Sequence, residues 1–258
     1  ALAIYGGLVD AGYPPQSITV SDPSPEQGAL ATAMGLTWQA DNASAIKTAD
    51  IVLVCVKPSW VETVCQELQP ALEGQTLVSV AAGVSTAQIA QWSGTDRVIR
   101  CMPNTPALIQ VGASALFANP SCSESQKNRA EEVLKAVGIV SWLDKEEDMD
   151  AVTALSGSGP AYFFLLMEAM QEAAVTLGLD KATAELLCQQ TALGAAKLAQ
   201  SSDVDVEELR RKVTSPGGTT EAALRQFESE DFNAIVGRAL GKAAQRSREL
   251  AAPAATDD

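Results

Sequence analysis

The residues best suited to hold an anion lie at 212–220, "KVTSPGGTT", with Glu221 opening a new amphipathic run. A Gly- and Pro-rich loop ahead of a helix can point several backbone N–H groups at one anion. Gly217 and Gly218 have no Cβ, so a ligand can approach the backbone closely. Thr219 and Thr220 add hydroxyls. The plainer alternative is a helix–helix turn with an N-cap. Other polar candidates sit where β-rich runs end: Ser21, Asp22 and Ser24 in "ITVSDPS", Lys57 in "VKP" at 56–58, "AAG" at 81–83, and Asn104 in "PNTP" at 103–106. Asn42 in "ADNAS" either caps a helix or touches a ribose.

The chain has 258 residues, no histidine, five scattered cysteines and a formal net charge of −14. Without imidazole, a Ser-His-Asp or Cys-His nucleophile is excluded. With no CxxC pair either, no metal site is expected. The negative charge argues against nucleic acid and against an anionic membrane surface. A small anionic ligand remains, provided local amides or cations oppose the overall field. The scatter and odd count of the cysteines fit a reduced, cytoplasmic protein, and the lack of a long apolar run means no membrane span is expected.

The elements that must position these residues fall into two halves. Residues 1–147 alternate short β-rich runs (18–21, 51–56, 76–82, 97–102 and 138–143) with helical stretches. This is the pattern of βαβ units and a mostly parallel, Rossmann-type sheet. "IVLVCV" at 51–56 has no polar alternation, as expected of a strand covered on both faces. Residues 148–258 show Ala/Leu-rich helical runs only, and the tail "AAPAATDD" is expected to fray. The reading is a dinucleotide-binding domain at 1–147 followed by an all-helical substrate and dimerisation domain at 148–258. Open α/β sheets bind ligands at the carboxyl ends of their strands, where Lys57, "AAG" and Asn104 lie. Asp22 favours a free ribose hydroxyl and so NADH; Ser21 and Ser24 suit the 2′-phosphate of NADPH. A doubly wound domain opens with a strand and a glycine-rich turn, whereas Ala1 already lies in a helical pattern. A natural protein extended at its N-terminus by those elements is therefore expected. Gly6 and Gly7 read as close helix packing rather than as that turn.

"RCMPNTPALIQVGASALFAN" at 100–119, "DAVTALSGSGPAYFFLLMEAM" at 150–170 and "LRRKVTSPGGTTEAAL" at 209–224 closely resemble the pyrroline-5-carboxylate reductase family. "VCVKP" at 54–58 and "SVAAGVS" at 79–85 add to the resemblance, which runs over nearly the whole chain. It implies reduction of a cyclic imine carboxylate to proline by hydride from NADPH, with NADH as the alternative. It implies substrate binding by Ser215, Gly217, Gly218, Thr219 and Thr220, with Thr220 beside the ring nitrogen as the catalytic candidate. The cofactor set it implies is Ser21, Asp22, Asn42, Val56, Lys57, Pro58, Ala81, Ala82, Gly83 and Asn104. It also implies a homodimer, which can build a larger homo-oligomer, with the SPGGTT loop of one chain meeting the crevice of the other. The rival readings are another Rossmann-type imine or 3-hydroxyacid oxidoreductase, and a non-catalytic helical dimerisation module.

Overall fold

The computed structural model describes residues 1–251, so the expected fraying at 252–258 lies outside the described residues. The chain forms two compact units, Ala1–Ser158 joined by the chain from Lys242 onward, and Gly159–Gly241. The sequence placed one cut at 147/148. The difference has a local cause. Asn104 holds Ser156 to the first unit at 3.2 Å, and Ser247 near the chain's end donates to Asp150 at 2.6 Å.

The first unit runs α1 (Leu2–Asp10), β1 (Thr19–Ser21), α2 (Pro25–Ala33), β2 (Thr37–Gln39), α3 (Asn42–Ala45) and β3 (Ile51–Val54). It continues with α4 (Pro58–Leu68), β4 (Thr76–Ser79), α5 (Thr86–Ser93), β5 (Val98–Met102) and β6 (Gly112–Ala118). Then come α6 (Glu124–Lys135), β7 (Gly138–Trp142), α7 (Met149–Val152) and a π-helical turn at Thr153–Gly157. The strands β1 and β2 pair in parallel as a small sheet, and the other five form a sheet in the order β3-β4-β5-β6-β7. Within it only β5 and β6 are antiparallel.

The sequence reading missed β2 and β6. It also overestimated the burial of β3: Ile51, Val52 and Leu53 are only half-buried, because β3 lies at the edge of the larger sheet. The fully covered strand is β4, buried along its whole length. Its alternating side chains serve two cores. Leu77 packs with Val61, Leu68, Ile89 and Val98 on one face. Val78 packs with Leu8, Ile99, Leu116 and Leu134 on the other.

The second unit contains α8 (Gly159–Thr176), α9 (Lys181–Ser201), α10 (Val206–Lys212), α11 (Thr219–Ser229) and the start of α12 (Phe232–Ala251). Asp180 caps α9 by accepting the Thr183 N–H at 3.0 Å. Among the described residues of this unit, only Ala184 and Cys188 are buried hydrophobics. Phe163, Phe164, Leu165 and Leu186 are each more than 60% exposed, at 65%, 63%, 66% and 68%. An apolar face of that extent marks an interaction surface.

The glycine pair in α1 separates two kinds of position. A Cβ on Gly7 would lie 2.5 Å from Val137 Cγ1 and 2.9 Å from the Ala136 carbonyl oxygen, whereas at Gly6 the nearest atom is Met34 Cε at 3.8 Å. Gly7→Ala should therefore destabilise the protein by about 1–3 kcal/mol through overpacking. Gly6→Ala should be neutral or stabilising by up to about 1 kcal/mol. Denaturant unfolding of the two variants checks this, and equal effects would contradict it.

Candidate active site

The carboxyl ends of the first unit's strands gather most of the expected polar residues. Ser21 ends β1, and its hydroxyl donates to Asn42 Oδ1 at 2.8 Å; the Asn42 amide in turn donates to Glu67 at 2.9 Å. Asp41, not Asn42, caps α3, accepting the Ser44 N–H at 2.7 Å. Of the two readings of Asn42, capping is thus the one the structure removes. The Asp22 carboxylate accepts the Ser24 N–H at 2.8 Å, which turns the chain into α2.

Past β3, Val56 is half-buried, Lys57 is exposed, and Pro58 occupies the first turn of α4. There its missing N–H costs nothing. Burial pushes the Cys55 thiol up. Past β4, Ala81 and Gly83 are buried and Ala82 is half-buried, with Gly83 at φ +78°. Only a residue without Cβ enters that conformation cheaply.

Asn104 has a different position from the one expected of a ligand-facing amide. Its Oδ1 accepts the Ala113 N–H at 2.9 Å, and its Nδ2 donates to Ser156 Oγ at 3.2 Å. Both ends of the side chain are engaged, tying β6 to the π-helical turn. That turn leaves Gly157 so close to Met102 that a Cβ would meet its Cε at 2.5 Å. The break in "SGSGP" is thus a close approach within the unit.

The residues fit a nicotinamide dinucleotide at both ends of this edge. Ser21 and Asn42 stand side by side, and a ribose would replace the hydrogen bonds they make to each other and to Glu67. In the small-residue turn after β4, Ala82 is half-buried while Ala81 and Gly83 are buried, so a flat ring would meet the turn at Ala82.

In the second unit the SPGGTT loop leads into α11, whose N-cap is Gly218. Gly217 adopts φ +72°, and Gly218 N–H donates to the Ser215 carbonyl at 3.0 Å. The Thr219, Thr220 and Glu221 N–H groups begin the helix and so have no carbonyl one turn back within it. Ser215, Thr219 and Thr220 are exposed.

Sequence reasoning missed the role of Glu221. Its Oε2 accepts the Gly217 N–H at 2.7 Å, and its Oε1 pairs with Arg225 at 2.9 Å. Gly217, expected in the substrate-binding set, thus has its amide committed to Glu221. Glu221 is the third residue of α11, the position from which a capping-box Glu reaches back to the chain before the helix. That spacing was the available signal. The Gly217 N–H, and then the Arg225 guanidinium, hold the Glu221 carboxyl below the usual carboxylate range.

The chain is similar to known proteins over nearly its whole length. The family described as pyrroline-5-carboxylate reductase dimerisation matches residues 146–250, and the one described as NADP oxidoreductase, coenzyme F420-dependent, matches residues 1–83. The pyrroline-5-carboxylate reductase of Pseudomonas aeruginosa is 52% identical over 254 residues, covering 97% of this chain and 93% of the relative. A solved pyrroline-5-carboxylate reductase from Coxiella burnetii is 43% identical with a TM-score of 0.93, over 97% of this chain and 94% of the other. The Plasmodium falciparum pyrroline carboxylate reductase, solved with NADP bound, is 27% identical with a TM-score of 0.86, over 97% and 94% of the two chains. With a relative at 52% identity spanning 97% of its length, the chain belongs to the pyrroline-5-carboxylate reductase family.

Proposed function

We propose that this protein reduces 1-pyrroline-5-carboxylate to L-proline with hydride from NADPH, the last step of proline synthesis, NADH being the alternative donor. The observation that carries the reading is the segment 215–221. It joins a positive-φ glycine, a helix start with free amides, and two threonine hydroxyls. That is a carboxylate-binding chemistry built without a net positive charge.

In this reading the substrate carboxylate lies on the Thr219 and Thr220 amides at the positive end of α11. The Gly218 amide joins them when it leaves the Ser215 carbonyl. Gly217 shapes the loop through Glu221, and Ser215 closes its other side. The Thr220 hydroxyl lies beside the ring nitrogen. A threonine hydroxyl is too weak an acid to surrender a proton near neutral pH, so the substrate arrives as the iminium and Thr220 orients it. The dinucleotide, when bound, supplies the hydride. Its adenosine end falls to Ser21, Asp22 and Asn42, and its nicotinamide end to Ala81–Gly83, with Val56, Lys57 and Pro58 between. Asn104 supports this crevice from within. Catalysis is then chiefly alignment and electrostatics.

The exposed apolar faces of α8 and α9 support a homodimer formed through the chain's second domain, which can assemble further. The five unpaired cysteines support a cytoplasmic setting. Among the described residues no helix is long and apolar enough to cross a membrane.

Three measurements test these assignments. Thr220→Ala should lower kcat about 10–100-fold, the scale of a lost orienting contact. Its stability should change by no more than about 1.5 kcal/mol; unchanged kinetics would remove Thr220 from the mechanism. Glu221→Ala should raise the KM for the imine about 5–10-fold by releasing Gly217, and Glu221→Gln, which keeps an acceptor, should raise it less. Because the Glu221 pKa is depressed, its hold on the loop persists at neutral pH and is lost only as pH falls through that lowered value. An unaltered KM in Glu221→Ala would contradict the role. Sedimentation at dilute concentration should find a dimer or larger assembly, and a stable monomer would refute the helical interface.

A further inference from the structure

Three segments of the first unit close on one another where β4 ends. The Gly83 turn lies against the end of α12, since a Cβ there would sit 3.1 Å from both the Leu250 carbonyl carbon and the Ala251 nitrogen. Three residues on, Thr86 begins α5. Its N–H and its hydroxyl donate to Glu146 Oε1 and Oε2, each at 2.8 Å. Arg100 on β5 donates to the same Oε1 at 2.8 Å. One helical turn beyond Glu146, Asp150 accepts the Ser247 hydroxyl of α12 at 2.6 Å. Residues 146–150 thus grip the loop with one carboxylate and the helix over it with the other.

The contacts are shielded. Thr86 is 5% exposed, and the Arg100 and Glu146 side chains are 14% and 21% exposed. Charge-assisted hydrogen bonds in such surroundings are short and directional. The Thr86 amide is one of the orphan donors of a helix start, where a carboxylate is favourable. Arg100 cancels the charge of Glu146. A carboxylate can therefore fasten this loop without repelling an anionic dinucleotide nearby.

We infer that Glu146 is a positioning residue for hydride transfer: acting through Thr86, it fixes the Ala81–Gly83 turn that orients the nicotinamide ring. The inference rests on the assignment of that turn to the nicotinamide. A loosened turn displaces the ring without removing the contacts that hold the rest of the dinucleotide. The loss should therefore fall on kcat rather than on affinity.

The test compares Glu146→Ala, Thr86→Val and Thr86→Ser with the unaltered protein. It uses kcat, the KM for 1-pyrroline-5-carboxylate, the Kd for NADPH, and the isotope effect from NADPH deuterated at the transferred position. Glu146→Ala should lower kcat about 10–100-fold, the cost of a displacement of roughly 1 Å. The KM and Kd should stay within about threefold, and the isotope effect on kcat should rise as hydride transfer becomes limiting. Thr86→Val should show a smaller loss of the same kind, and Thr86→Ser, which keeps the hydroxyl, should restore the kcat lost in Thr86→Val. If Glu146→Ala does not fold, the Thr86 pair decides. Wild-type kcat and isotope effect in the folded Glu146→Ala and Thr86→Val variants overturn the inference, as does a loss confined to the Kd for NADPH. An unaltered protein inert towards 1-pyrroline-5-carboxylate would instead overturn the proposed function, and that is seen before any variant is made.

Discussion

A carboxylate can be held by a protein with 32 acidic and 18 basic side chains only where local donors outweigh the field of the whole. With no histidine in the chain and few cations to spare, the donors in the proposed reading are backbone amides. Amides point together at a helix start, and only if the preceding chain bends sharply. That geometric demand accounts for the length of the loop before α11. Gly217 supplies the left-handed bend, Gly218 the N-cap, and Glu221 a carboxylate that keeps the bend in place.

The same pairing of carboxylate and helix start recurs through the fold. Asp41, Asp180 and Asp205 cap their own helices by accepting backbone N–H groups at 2.7, 3.0 and 2.8 Å. Glu146 does so for α5 from a residue 60 positions away in sequence. An acidic chain here uses its charge as fastening. Each pairing removes an orphan donor and leaves the carboxylate stabilised by the helix. The start of α11, where the substrate is assigned, is among the helix starts that no side chain caps.

The alternation of strand and helix, the helical second half and the glycine-bent turn ahead of a helix at 215–220 were legible in the sequence. They rest on local patterns: period, Gly/Pro placement and apolar runs. What escaped had non-local or weak causes. The strand β6 reads "GASALFA", mostly small residues of low strand propensity, and it becomes a strand because β5 and β7 flank it. Asn42 and Asp41 are equally good caps by type, and only the backbone decides between them. The commitment of Asn104 to Ala113 and Ser156, and of Glu146 to Thr86, joins positions 9, 52 and 60 residues apart. The family resemblance implied a cofactor contact for Asn104, and its motif stretches include neither Thr86 nor Glu146.

The central claim is that backbone amides, rather than a charged pocket, select the substrate by its carboxylate. Turnover of 1-pyrroline-5-carboxylate and of the carboxylate-free 1-pyrroline, at saturating NADPH, tests it most directly. Two hydrogen bonds to a charged group are worth about 3–6 kcal/mol, so kcat/KM should be lower for 1-pyrroline by about 10²–10⁴-fold. Equal kcat/KM for the two imines would contradict the account.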